Sequence, residues 1–395
     1  MINEQMAALG HTRSCIRELF EYGLQQAQIV GRENVFDFSI GNPSVPVPEE
    51  VNEAIISAVR DLDSITLHGY TPAPGNPALR SMVTEDLNRR YGTNLTNFNI
   101  FFTCGAAPAV VSVARALGVP GAEIVVQAPY FAEYRAYVEP NGIKLVVVPP
   151  AYPDFQINFE GMEAAIGPHT QAVIVNSPNN PTGVVYSRAT LEKLGELLKK
   201  KAAEYSHPIY IISDEPYREL VYDGVEVPYI PAIYPDTIVC YSFSKALSVP
   251  GERIGYALVA DTCTDEYALM DAIAGAARAL GHVCAPSLQQ RFVALCAGIR
   301  PNIEVYDKNR RILYDALTSY GYECVRPQGA FYLFVKAPGG DSKVFSDRAK
   351  EKNLLVVPGH DFGCPGYFRA STCVATDMIE RSLPLFKELK EAFEA

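Results

Sequence analysis

The stretch "PIYIISDEPYREL" at positions 208–220 changes character half-way. It begins as a short apolar run and then presents Asp214, Glu215 and, a few residues on, Tyr217. Continuous apolar runs of this length suit strands buried on both faces, as in a parallel sheet covered by helices. Comparable runs stand at "AEIVVQAP" (122–129), "IKLVVVPP" (143–150), "QAVIVNSP" (171–178), "TIVCYSFS" (237–244) and "RIGYALVA" (253–260). Helix-like stretches separate them, among them "SRATLEKLGELLKKKAAEYS" (187–206), which opens on a serine suited to an N-cap. This alternation predicts a doubly wound α/β domain over 46–285, with a mostly parallel sheet sandwiched by helices.

From about residue 290 the rhythm differs. A polar helix candidate (300–321) precedes the strand-like runs "AFYLFVKA" (330–337), "NLLVVPG" (353–359) and "YFRASTCV" (367–374), and an amphipathic helix ends the sequence. A smaller α+β domain over 286–395 is expected, with residues 1–45 as an arm beside it or against a partner subunit.

The 395 residues exceed one ordinary core and suit two domains. Hydrophobic residues at 48% and charged residues at 20% fit a globular protein with a sizeable interior. A formal net charge of −11 argues against nucleic acid and against an anionic membrane surface as partners. It leaves room for one small anion, which needs only a few local donors. Nine scattered cysteines include no CxxC pair, and they read as reduced, mostly buried thiols. The opening "MINEQMAALGHTRS" has no basic segment followed by an apolar run, and no apolar stretch reaches spanning length. A cytoplasmic location is therefore expected. There is no GxGxxG after a strand, no Walker A loop, no HExxH and no GxSxG, and the six histidines lack metal-ligand spacing.

In open α/β sheets ligands bind beyond the carboxyl ends of the strands. Four of those ends carry unusual residues. In "TCGAAPAVVSVARAL" (103–117), Gly105 precedes a helix start marked by Pro108, a turn that can offer free backbone N–H groups to a phosphate or simply join strand to helix. In "NSPNNPTGVVY" (176–186), prolines and a glycine force an irregular loop around Asn179 and Asn180. Asp214 is either a helix cap or a buried anion with a cationic partner. In "YSFSKALSVPGERIGY" (241–256), Ser242, Ser244 and Lys245 follow a strand and Arg253 precedes the next. A desolvated lysine near other cations has a lowered pKa and can attack a carbonyl, while hydroxyls and a guanidinium make a phosphate clamp.

The ordered set of glycine turn, Asn-Pro-x-Gly, Asp-x-x-Tyr and Ser-x-Ser-Lys followed by Arg strongly resembles the class I/II aminotransferases of pyridoxal-phosphate fold type I. The resemblance extends to "IGNPSVPVPEEV" (40–51), "YTPAPGNPALR" (70–80), "GAFYLF" (329–334) and "FRASTCVA" (368–375), and so covers essentially the whole chain. It implies pyridoxal 5'-phosphate as cofactor, covalently anchored on Lys245, which also shuttles the proton at the substrate α-carbon. It implies that Asp214 keeps the pyridine nitrogen protonated, and that Asn180 and Tyr217 hydrogen-bond the ring's phenolic oxygen and tune the proton affinity of the lysine linkage. Ser242, Ser244, Arg253 and the backbone N–H groups of Ala106 and Ala107, after Gly105, correspond to the phosphate site. Many relatives carry a hydroxyl or amide just after that glycine, so Ala-Ala-Pro puts a side-chain contact there in doubt. The ring would stack on Phe131 or Tyr130, with Phe131 at the matching offset. Tyr70 resembles the tyrosine that reaches the neighbouring subunit's phosphate, which implies a homodimer with shared active sites. Arg369 resembles the residue that grips the substrate α-carboxylate, and Gly41 the segment lying over the substrate, although a glycine there can equally be a bend.

The expected function is ping-pong transfer of an amino group from an L-amino acid to a 2-oxo acid, with aspartate the default donor from family frequency alone. A carbon–sulfur β-lyase of the same fold is the alternative, since it would use the same lysine, aspartate and arginine. A non-catalytic regulator would need a DNA-binding module, which this sequence does not show. A dicarboxylate substrate needs a second cation, for which Arg278, His282 and Arg291 lie in a suitable region of the sequence.

Overall fold

The apolar run beginning at Pro208 is a strand, and its side chains feed two separate cores. In the computed structural model, which describes residues 2–11 and 15–394, Ile212 packs into one buried cluster and Ile211 into another. Met1, residues 12–14 of the expected arm and Ala395 of the expected last helix lie outside the described residues. The same division recurs along the neighbouring strands: Ile124, Val126 and Ile174 face the first cluster, and Val125, Val173 and Val175 the second. Alternate residues of a strand point to opposite faces, so an unbroken apolar run marks a sheet covered on both sides. Each fully buried Val or Ile contributes roughly 1.5–3 kcal/mol relative to exposure.

The strands, in chain order, are β1 (Phe36–Asp37), β2 (Ile100–Thr103), β3 (Glu123–Gln127), β4 (Lys144–Val148), β5 (Thr170–Asn176), β6 (Tyr210–Asp214), β7 (Thr237–Ser242), β8 (Gly255–Val259), β9 (Tyr332–Lys336), β10 (Leu354–Leu355), β11 (Val357–Pro358) and β12 (Tyr367–Ser371). The large sheet has the order β2-β8-β7-β6-β5-β3-β4. Strands β3 to β7 pair in parallel, and β8 runs antiparallel to both β7 and β2. One edge of this sheet therefore collects the carboxyl ends of β2, β5, β6 and β7 together with the amino end of β8, where Arg253 stands.

Helices cover both faces. Ala109, Val110 and Val113 of the helix Ala106–Ala116 join the first cluster; Leu191, Leu194 and Leu198 of the helix Arg188–Tyr205 join the second. The latter starts where the sequence places it, since Ser187 Oγ accepts from the Thr190 N–H at 3.0 Å. Strand β2 is missing from the apolar runs above because it spans only four residues, although all four are buried.

The smaller sheet is antiparallel, in the order β11-β12-β9, and carries helices Glu304–Ser319 and Thr376–Glu394 around its own core. The run 353–359, expected as one strand, splits in two. Leu354–Leu355 pairs in parallel with β1, and Val357–Pro358 pairs with β12 at a sheet edge, where proline's missing N–H is tolerated. The run 237–244 likewise stops at Ser242, whose Oγ accepts from the Ser244 N–H at 3.2 Å and caps the helical turn Phe243–Ala246.

Candidate active site

A cavity of about 300 Å³ opens at the carboxyl edge of the large sheet. The charged side chains lining it among the described residues are Asp214, Lys245, Arg253 and Arg369.

Lys245 is presented by the turn after β7. Its Nζ donates to the Gly41 carbonyl at 2.6 Å. Burial brings its pKa from 10.5 down to about 8, and the charges of Arg253 and Arg369 push the same way. A backbone carbonyl is a weak anchor for an ammonium, so the amine stays available to a better partner.

Asp214 ends β6 and is buried. It caps no helix. Its Oδ2 accepts from the Tyr134 hydroxyl at 2.5 Å, and its backbone carbonyl from Asn176 Nδ2 at 2.9 Å. Burial raises its carboxyl from 3.8 to about 7, Glu215 adds to the rise, and the Tyr134 bond opposes it. The cationic partner expected from the sequence is absent among the described residues, so this acid faces the cavity uncompensated.

Asn180 and Tyr217 line the same cavity as the lysine and the arginine. Asn180 Oδ1 accepts from Arg369 Nη1 at 3.0 Å, and the Asn180 N–H donates to Asn176 Oδ1 at 2.8 Å. Tyr217 shares a 2.9 Å hydroxyl–hydroxyl bond with Tyr332.

At the opposite end, Ser242 Oγ and Ser244 Oγ lie 2.7 Å apart, and Arg253 Nη1 reaches Ser244 Oγ at 3.5 Å. Gly105, with φ +99°, ends the approach to the helix at Ala106 and offers no side-chain cap, which leaves the first N–H groups of that helix free. A Cβ on Gly105 would stand 2.7 Å from Arg253 Nη2, so only glycine admits the guanidinium. Hydroxyls, a guanidinium and an uncapped helix N-terminus form a donor set suited to a phosphate.

Arg369 on β12 is 1% exposed, and no ion pair between it and a carboxylate is seen among the described residues. Its Nη2 donates to the Ser39 carbonyl, while its Nε finds no acceptor at all. A buried guanidinium with an orphaned N–H is suited to an incoming carboxylate.

Of the cofactor and substrate residues that the resemblance implies, all line this cavity except Gly105, which precedes the lining residue Ala106, and Tyr70. Phe131 lines it, and Tyr130 does not. Tyr70 is 100% exposed on the single chain, away from the cavity. Arg278, His282 and Arg291 are also outside it; Arg291 Nη2 instead donates to the Thr66 carbonyl at 2.9 Å. The structure adds Asn176, Tyr134, Tyr137 and Tyr332 as site residues. Tyr332 stands in the motif "GAFYLF" and Tyr134 three residues after Phe131, but nothing in their spacing marks the direction of their hydroxyls.

Residues 33–383 match the family model described as aminotransferase class I and II. The chain belongs to that family. It is 32% identical over 359 residues to a probable aspartate/prephenate aminotransferase of Thermus aquaticus, spanning 88% of this chain and 89% of that one. An aspartate aminotransferase of Geobacillus stearothermophilus is 29% identical, with 91% and 92% covered. Among solved structures, an aminotransferase of Eubacterium rectale is 50% identical and superposes over 100% of both chains with a TM-score of 0.98. The aspartate aminotransferase of Thermus thermophilus with maleate is 28% identical, with 98% and 99% covered and a TM-score of 0.86. The fold is thus that of the aspartate aminotransferases, a mostly parallel sheet flanked by helices with a smaller antiparallel-sheet domain. The family works with pyridoxal phosphate.

Proposed function

We propose that this chain is a pyridoxal-phosphate-dependent transaminase that moves an amino group from an L-amino acid to a 2-oxo acid in two half-reactions. The observation that carries the reading is the convergence of Lys245, Asp214, Arg253 and Arg369, from separate strand ends, on one cavity. The residues fit the cofactor. The uncompensated acid of Asp214 suits a protonated ring nitrogen, Phe131 offers a ring face, and Asn180 and Tyr217 offer hydrogen bonds to a ring oxygen. Ser242, Ser244, Arg253 and the N–H groups of Ala106 and Ala107 suit the phosphate. When bound, pyridoxal phosphate supplies a carbonyl to take the amino group and an electron sink for the charge left at the α-carbon.

The rest of the chemistry belongs to the protein. Arg369 holds the substrate α-carboxylate in a bidentate fork and so fixes which α-carbon bond faces Lys245. Lys245 moves the proton at that carbon. With its pKa near 8, roughly a quarter of the amine is free base at pH 7.5, against on the order of a thousandth at 10.5. Burial thus makes the lysine both nucleophile and base near neutral pH.

Aspartate is the first donor to test, because the relatives named above are aspartate aminotransferases. Once Arg253 and Arg369 are engaged and Lys245 is committed to the cofactor and the proton transfer, no cation among the described lining residues remains for a second carboxylate. Selectivity for a dicarboxylate therefore requires a cation from a second subunit. Such a dimer is also part of the reading. Ile56, Val59 and Ile65, close in sequence to the exposed Tyr70 that would reach the neighbour's phosphate, lie exposed on helices that pack against the one carrying the exposed Leu295. All nine cysteines are free, which supports a reducing compartment and hence the cytoplasm.

The test is a half-reaction. Protein loaded with pyridoxal phosphate receives aspartate, glutamate or alanine without any oxo acid. Stoichiometric oxo acid with loss of the visible band of the bound cofactor, abolished by Lys245→Ala, is the expected result. A persistent band with ammonia, pyruvate and thiol released from a cysteine-type substrate offered in parallel would make the protein a lyase, and no band at all would remove the cofactor reading.

A further inference from the structure

Tyr332 begins β9 beside the strand that carries Arg369, is 3% exposed and lines the cavity. It touches three groups assigned to the site. Its hydroxyl meets that of Tyr217 at 2.9 Å. The Arg369 guanidinium lies over its ring at 4.5 Å from the centroid. Its Oη also occupies the space beside Gly41, where a Cβ would stand only 2.1 Å away, and the Gly41 carbonyl is the group that accepts from Lys245.

Two phenols that share one hydrogen bond keep one further proton to donate. If Tyr332 donates to Tyr217, the Tyr217 proton is free to point into the cavity and is polarised by the bond it accepts. The ring below Arg369 meanwhile provides a π face that leaves the edge of the fork, with its orphaned Nε, open to a carboxylate.

Resting on the transaminase reading, we propose that Tyr332 is a positioning residue with two separable tasks. Its hydroxyl directs the Tyr217 proton toward the cofactor's ring oxygen, and its ring is the floor that holds Arg369 for the substrate α-carboxylate. Arg369 and Asp214 are the charged groups facing Tyr217, and neither bonds its hydroxyl, so the direction of that proton falls to Tyr332.

The experiment uses the holoenzyme without substrate first. The ring oxygen carries its negative charge once the linkage to Lys245 has lost its proton, so a weaker Tyr217 donor makes that proton harder to remove. Tyr332→Phe is expected to raise the pH midpoint of the visible band by about half a unit. In a Tyr217→Phe background the same change should move the midpoint no further, because the group it acts through is gone. Steady-state assays then separate the tasks. Tyr332→Phe keeps the ring and should leave KM for the amino donor within about twofold, whereas Tyr332→Leu should raise it about tenfold. An unmoved midpoint in Tyr332→Phe, an equal shift with and without Tyr217, or an unchanged KM in Tyr332→Leu would overturn the inference alone. A wild-type protein lacking the visible band would overturn the transaminase reading and this inference with it.

Discussion

Asp214 gives the sharpest test, because its role and its cost to the empty protein have opposite signs. Its carboxyl rises from 3.8 to about 7, chiefly through burial. In an acid whose folded pKa is raised, the folded chain holds a proton that the unfolded chain has released, so stability falls as pH rises between the two values. At 1.36 kcal/mol per pH unit the loss approaches 4 kcal/mol once the pH exceeds about 7. The substitution Asp214→Asn keeps the shape, retains an oxygen to accept from Tyr134 and removes the charge. Without cofactor, the variant should therefore be more stable than the wild type at pH 8, by an amount on the order of a few kcal/mol, and equal to it near pH 4. The assay is urea or thermal unfolding of both cofactor-free proteins across that range. Adding pyridoxal phosphate at pH 8 should reverse the ranking, since the wild-type acid then gains a cationic partner and the amide does not. A cofactor-free variant that is no more stable than wild type at pH 8 would refute the reasoning, as would a stability difference that does not change with pH.

Two further substitutions probe the two ends of the cavity. Arg369→Lys keeps the charge but loses the fork, so KM for the amino donor should rise roughly ten- to a hundredfold while cofactor affinity stays unchanged; a KM within twofold of wild type in steady-state assays would contradict the carboxylate role. Gly105→Ala places a methyl 2.7 Å from Arg253 Nη2 at a backbone φ of +99°, so cofactor affinity, followed by titrating the visible band, should fall at least about tenfold, with Tm lowered by the strain; unchanged affinity would show that Arg253 does not need its present position.

The architecture was legible wherever a run was apolar without interruption. Ile211 and Ile212 can both be buried only in a sheet covered on both faces, and that inference needs no partner information. Boundaries failed where the backbone answers to something outside the run. Leu354–Leu355 leaves its neighbours to pair with β1, more than three hundred residues earlier, and no local signal announces a pairing so distant. The site was legible through residue types that are costly in ordinary structure, such as a lysine after a buried strand, an acid at its end and an arginine inside one. Tyr332, Tyr134 and Asn176 were not, because a tyrosine in an apolar strand or a short helix, or an asparagine at a strand end, has an adequate structural reason to be there. Only the direction of their polar atoms shows otherwise. Arg278, His282 and Arg291 lie in a region of the sequence that could offer a second cation, but sequence alone could not place them in the pocket, and none of the three lines the cavity of the single chain.

The charges of the cavity form a pattern that no arrangement within the single chain satisfies. Among the described residues, an acid sits without a cation, a guanidinium sits without a carboxylate and keeps an orphaned N–H, and an amine bonds a single carbonyl. Each is destabilising on its own, and a protein selected for stability alone would pair them or replace them with apolar groups. Arg369 and Asp214 bond other groups instead: one arm of the guanidinium donates to the Asn180 amide oxygen, and the acid accepts from the Tyr134 hydroxyl. The arrangement therefore keeps opposite charges apart at fixed separation, which is useful only if a ligand of complementary pattern bridges them. That ligand must be anionic near Arg253, cationic near Asp214 and reactive toward an amine at Lys245, while its partner substrate must be anionic near Arg369. Pyridoxal phosphate and an amino acid meet these conditions together, and the instability predicted for the empty protein is the physical trace of that requirement.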